Sequence, residues 1–136
     1  KPKTILRLER EKAINIQENN GAEGWGLPEF HSVAMGKHSV IMDATGYKEW
    51  ATKENSELVT PSGKISSVDG VFFNEGADYN QGRIYDFDED AFIDACEKVI
   101  KRVESNPENE EGLKLQDEFT YEKTTNQILS SIGYNA

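Results

Sequence analysis

The chain has 136 residues, with 15 Lys and Arg against 25 Asp and Glu and a formal net charge of −10. That length suits one domain with a real core, and that charge argues against a broad nucleic-acid surface and against an anionic membrane as partner. A single cysteine, Cys96, excludes an internal disulfide and any multi-cysteine metal site. No run approaches the roughly 20 apolar residues of a membrane span and no signal peptide is visible, so a cytoplasmic location is expected.

In chain order, Leu6 and Leu8 alternate like a strand, although ILRLEREK also fits a helix. Ile14 and Ile16 alternate with Asn15 and Gln17, a weak strand ended by Asn19, Asn20 and Gly21. Pro28 opens a short helix, because its missing N–H is no loss at a first helical position. Phe30, Val33 and Ala34 form the apolar stripe of that helix, and Gly36 is placed to end it. Ser39–Met42 reads as a short apolar strand, Asp43–Gly46 as loop, Tyr47–Thr52 as a helical turn, and Leu58–Val59 as a strand closed by Pro61 and Gly63. Within 64–85, Val71–Phe73 and Ile84–Tyr85 read as two strands of a hairpin around Gly76, Asn80 and Gly82.

The strongest periodic signal spans 88–104, where Phe92, Ala95, Cys96, Val99, Ile100 and Val103 share one helical face. Acidic Asp88, Glu89 and Asp90 start this helix, and Lys98, Lys101 and Arg102 lie towards its end, as the helix dipole favours. Capping explains the acidic cluster 86–90 without a bound cation. Asn106-Pro107 stops the helix, and two more follow near 109–118 and 121–132, the last ended by Gly133. There are no repeats, and the order of strands and helices reads as α/β.

The stretch EGWGLPEFHSVAMGKHSVIM, residues 23–42, carries the chemistry. Gly24 and Gly26 remove side chains that would keep a ligand off the backbone. The first N–H groups of a helix starting at Pro28 have no partner within it, and the dipole favours an anion there by roughly 0.3–1 kcal/mol. Glu23 offers a carboxylate to sugar hydroxyls, and Trp25 a flat face to a ring. The residues alone leave a second reading open, a tight turn with Trp25 as core. Lys37-His38 is no zinc motif, since one imidazole lacks spaced partners.

EGWGLP, followed by FHSVAMG and then SVIM, resembles the C-terminal donor-binding domain of group-1 (family-4-like) GT-B glycosyltransferases. Thr45, Gly46 and Glu49 match that family's next loop, Leu58, Val59 and Pro61 its following strand, and Phe119, Thr120 and Tyr121 the element before its terminal helix. The resemblance implies a Rossmann-like, three-layer α/β domain with a mainly parallel sheet, the C-terminal half of a GT-B fold in incomplete form. It implies a nucleotide-diphosphate sugar as donor substrate, transfer to an unknown acceptor with retention of configuration, and no metal or other cofactor. The catalytic position falls to Glu23, which bonds the donor sugar, and the donor-binding backbone to Gly24, Trp25, Gly26 and Leu27, with Thr45, Gly46 and Glu49 from the second loop. The family's ribose-binding Glu is His31 here, either a ribose contact or a packed helix residue.

Two features depart from the family. Only residues 1–22 precede Glu23, so the chain is expected to be a fragment or truncated frame lacking an N-terminal acceptor domain. Arg7, Arg10 and Lys12 are the cations there, and no motif places them at a diphosphate. The segment 64–85 is an insertion whose Phe72, Phe73, Tyr79 and Tyr85, with Asn80 and Gln81, line an acceptor site or interface, or else decorate the domain edge. Two alternatives stand beside glycosyl transfer: a nucleotide-sugar epimerase of the same architecture, and a non-catalytic sugar- or nucleotide-binding module.

Overall fold

The computed structural model describes residues 14–15, 24–68, 70–79 and 82–134. The expectations for Leu6, Leu8, Ile16 and residues 19–21 lie outside them. The described fold is mixed α/β. Three parallel strands, β1 (Ile14–Asn15), β2 (His38–Met42) and β3 (Glu57–Val59), pair in that order, with Ile14 opposite His38 and Val40 opposite Glu57. A separate antiparallel ribbon joins β4 (Gly63–Ser66) to β5 (Arg83–Asp86). The helices are α1 (Leu27–Ala34), α2 (Glu89–Ser105), α3 (Glu110–Leu113), α4 (Leu115–Glu118) and α5 (Tyr121–Ser131), with a 3₁₀ turn at Thr45–Glu49.

All five residues of β2 are buried. Successive strand side chains point to opposite faces, so its apolar run feeds two clusters. Val40 packs with Val59 and with Ala95, Cys96, Val99 and Val103 of α2. Ile41 packs with Val33 and Ala34 of α1, with Tyr47 and Trp50, and with Leu115 of α4. Helices therefore cover β2 on both faces, which is why this strand reads as continuously apolar rather than alternating.

Helix α2 forms as its pattern predicts. Asp88 caps it through the Ala91 N–H at 2.8 Å, and Glu89 and Asp90 lie exposed in its first turn, where the helix dipole favours them. Near its far end Arg102 reaches across to β3, pairing with Glu57 at 3.0 Å and donating to the carbonyls of Lys53 and Ser56. Lys98 adds a second cation on Glu57 at 3.3 Å. Helix α1 ends at Gly36 (φ 78°), with Gly36 N–H on the Val33 carbonyl and Lys37 N–H on that of Ser32.

Three local expectations are corrected. Val71–Phe73 is a series of bends, not a strand; the partner of β5 is Gly63–Ser66, whose Gly and Ser ends hid its short pattern. The helical turn expected at Tyr47–Thr52 is a 3₁₀ turn beginning two residues earlier, inside the expected loop. The helix expected at 109–118 is broken into α3 and α4 at Lys114, where the chain turns Leu115 into the core.

At the amino ends of the strands, buried Asn109 joins three segments. Its Nδ2 donates to Lys37 O at 3.0 Å and Asn55 O at 2.7 Å, and its Oδ1 accepts from Gly112 N at 3.0 Å. Truncation strands buried backbone groups, each costing about 1–3 kcal/mol. Urea unfolding should therefore show Asn109→Ala destabilised by at least about 2 kcal/mol, and Asn109→Asp, whose second carboxylate oxygen would face the two carbonyls, by at least as much. A loss below about 1 kcal/mol for either variant would contradict the bridging role.

Candidate functional site

Because β1, β2 and β3 run parallel, their carboxyl ends share one edge, where ligands of open α/β sheets bind. The segment after β2 is the turn Thr45–Glu49, and the turn Gly24–Gly26 that opens α1 lies against it. A Cβ built on Gly46 would run into the Gly24 carbonyl and the Trp25 nitrogen, so the two turns touch backbone to backbone. Gly26 sits over the Tyr47 ring in the left-handed conformation, φ 71°, and a Cβ there would enter the ring. Trp50 Nε1 donates to the Trp25 carbonyl at 2.9 Å. These contacts fix the turn without using a side chain of Gly24 or Gly26.

Gly26 is the N-cap of α1 and supplies no side-chain cap; Phe30 N donates to its carbonyl at 2.8 Å. Pro28 takes an early helical position, as its chemistry predicts. Leu27 is 56% exposed, and Gly24 is exposed with open space around its Cα. The turn thus presents backbone to solvent on one side and packs on Tyr47 and Gly46 on the other.

Trp25 is half-buried rather than a free platform. It meets Phe30 and Phe119 edge-on, at 5.7 and 5.4 Å between ring centroids, and Phe30 meets Trp50 and Phe119 likewise. Edge-to-face contacts of this kind contribute about 0.5–1.5 kcal/mol each beyond burial. The ring therefore holds the turn.

Thr45 is the one non-glycine among the described residues with positive φ, 55°. A β-branched residue there is strained. Its Oγ1 is buried and meets no hydrogen-bond partner among the described residues. Glu49 and Lys48 are exposed beside it, with Lys48 Nζ 3.6 Å from Asp43. The sequence reading passed over Lys48; its signal was a cation two residues after Gly46.

His31 is exposed, with its ring tilted against Phe30 at 6.0 Å. Glu29, on another face of α1, is buried, which the sequence reading did not foresee. Glu23, Arg7, Arg10 and Lys12 lie outside the described residues. The structure thus brings Gly24, Trp25 and Gly26 against Gly46, Tyr47 and Trp50, with Leu27, Thr45 and Glu49 on the same two segments, and leaves His31 one helical turn along.

His38 belongs to the opposite edge. Its Nε2 donates to Asn106 O at 2.8 Å beside a shallow groove of about 320 Å³ that Lys53, Arg102 and Asn109 also line. Arg102 is already committed to Glu57 and to the Lys53 and Ser56 carbonyls. Burial pushes the imidazole below its ordinary value near 6.5, against the hydrogen bond that raises it, and Arg102 lowers it further. No group of three or more His, Cys, Asp or Glu among the described residues is arranged to hold a metal.

Comparison with protein-family models, with curated proteins and with solved structures finds no match.

The two turns make a differential prediction. Gly46→Ala should destabilise by about 1–3 kcal/mol or more, because backbone must move, whereas Gly24→Ala should stay within about 0.5 kcal/mol of the parent. Urea midpoints decide it, and equal midpoints would contradict the contact. A folded-state pKa below the unfolded value means that the unfolded chain binds more protons, so His38 contributes stability that is present above pH ~6.5 and lost as pH falls through its lowered folded value. Melting temperatures followed downward from about pH 7 should fall, and His38→Asn should remove that part of the slope; an unchanged slope in the variant would contradict the assignment.

Proposed function

We propose that the chain is a donor-binding domain of a glycosyltransferase, Rossmann-like in its layering, that holds a nucleotide-diphosphate sugar at the carboxyl edge of its parallel strands. The observation that carries this reading is the stacking of the Gly24–Gly26 turn on the Thr45–Glu49 turn, two segments far apart in sequence that the family resemblance independently assigns to one donor. Helices on both faces of β2 support the layered architecture. In this reading the diphosphate lies at the start of α1, where backbone N–H groups and the helix dipole favour negative charge. Lys48 supplies a nearby cation, and Glu23 grips the sugar hydroxyls.

Thr45 fits the same picture. Its backbone strain and its unused hydroxyl are both expenses to the fold, and strain of this kind collects where a ligand uses it. Catalysis would consist of positioning the donor and stabilising the leaving diphosphate with fixed dipoles and cations. The acceptor and the second wall of the cleft belong to a further domain or partner.

A competing reading, a packing turn without a ligand, draws support from the edge-on rings that lock Trp25. Thermal shift separates the two. A ligand at about 100 times its Kd stabilises the native state by about 2.7 kcal/mol. One of the uridine, guanosine or adenosine diphosphates should raise the melting temperature, and its sugar conjugate should raise it further. Glu23→Ala should remove only the sugar increment. Thr45→Gly should raise the melting temperature of the free protein, since it relieves about 1 kcal/mol of strain or more, and should shrink the nucleotide shift. Flat traces for every nucleotide would overturn the proposal in favour of the packing turn.

A further inference from the structure

The carboxyl end of β3 leads directly into the ribbon, so the ribbon rises from the same edge as the two turns. Its ladder continues past β4 and β5 through Ser67 N on the Gly82 carbonyl at 3.2 Å, and its tip carries the backbone bonds Gly70 N to Phe73 O and Ala77 N to Asn74 O. The tip displays apolar side chains to solvent: Val71 is 72% exposed, Phe72 77% and Tyr79 65%. A cluster of this kind on an exposed ribbon marks an interaction surface more often than single scattered apolar residues do.

The charges around it set the partner's chemistry. Glu75 and Asp78 lie within the tip and make no ion pair among the described residues. The ribbon's two described cations are exposed but engaged along the strands, away from the tip: Arg83 Nη2 donates to Lys64 O at 2.6 Å, and Lys64 Nζ sits 4.5 Å from the centre of the Tyr85 ring. At the ribbon's base, Asp86, Asp88, Glu89 and Asp90 add negative charge. A second copy of this chain, itself at −10, meets this tip with repulsion. An anionic membrane does the same.

We propose that the ribbon tip is a docking surface for a basic, apolar-bearing segment of a different protein, with Val71, Phe72 and Tyr79 as the anchors and Glu75 and Asp78 as the charge selectors. Apolar anchors supply the affinity, while the flanking carboxylates steer the encounter and reject acidic partners. This inference stands apart from the donor site, whose residues it does not use.

The test titrates the full chain with three synthetic helical peptides by fluorescence anisotropy. One alternates lysine-rich and leucine faces, one replaces its lysines with glutamate, and one replaces its leucines with serine. Only the lysine–leucine peptide should bind, and more weakly at about 300 mM than at about 50 mM salt. Phe72→Ser with Val71→Ser, and separately Glu75→Lys with Asp78→Lys, should each weaken binding about tenfold or more. Glu104→Lys with Glu122→Lys removes as much charge away from the ribbon and should leave binding unchanged. Circular dichroism melts confirm that each variant is folded. Absence of binding, equal loss in the ribbon and remote charge variants, or a self-association that Phe72→Ser abolishes would overturn the proposal.

Discussion

The contact of Gly46 with the Gly24–Trp25 backbone is the constraint on which the candidate site depends. It leaves no room for a side chain, so the two turns approach as bare backbone. Below them, Tyr47 fills the space under Gly26 and Trp50 ties down the Trp25 carbonyl. The rigidity comes from aromatic side chains packed behind the turn, while Gly24 and Leu27 stay exposed at its front.

In the proposed reading the parallel sheet separates binding from structural duties. At the amino ends of the strands, polar groups are consumed internally: Asn109 bridges Lys37, Asn55 and Gly112, His38 serves Asn106, and Arg102 clamps Glu57. At the carboxyl ends lie the exposed turn, the strained Thr45 and the exposed ribbon. Phe119, edge-on to Trp25 and Phe30, links the start of α5 to the rear of the turn. Helix α5 itself buries no residue, and its position is set at that end.

Much of this was legible in the sequence where periodicity and capping agree. Helix α2 has both a clean apolar face and an acidic start, and it lies within a residue of the expected range. Gly36 and Pro28 mark the limits of α1 for reasons local to the chain. The failures have a common cause. Residues 63–66 form a strand only because 83–86 pair with them, and their alternation is too short and too exposed to announce itself. The run Val71–Phe73 misled in the opposite sense, since β-propensity describes a pleated, half-buried surface and these residues lie in exposed bends. The candidate site was legible as two motifs that the resemblance assigns to one donor, but not as a direct contact. Nothing in residues 24–26 or 45–49 says that their backbones touch, and nothing in the sequence around Glu29 marks it as buried, because charge alone does not reveal burial.

The most direct measurement of the central claim is a ¹⁵N–¹H correlation titration of the chain with a nucleotide-diphosphate sugar. The two-turn account predicts saturable shifts of the amides of Gly24, Trp25, Gly26, Leu27, Thr45 and Gly46 along one binding curve, with the amides around His38 and Asn109 unmoved. Shifts confined to the His38 edge, or none at either edge at saturating nucleotide sugar, would contradict it.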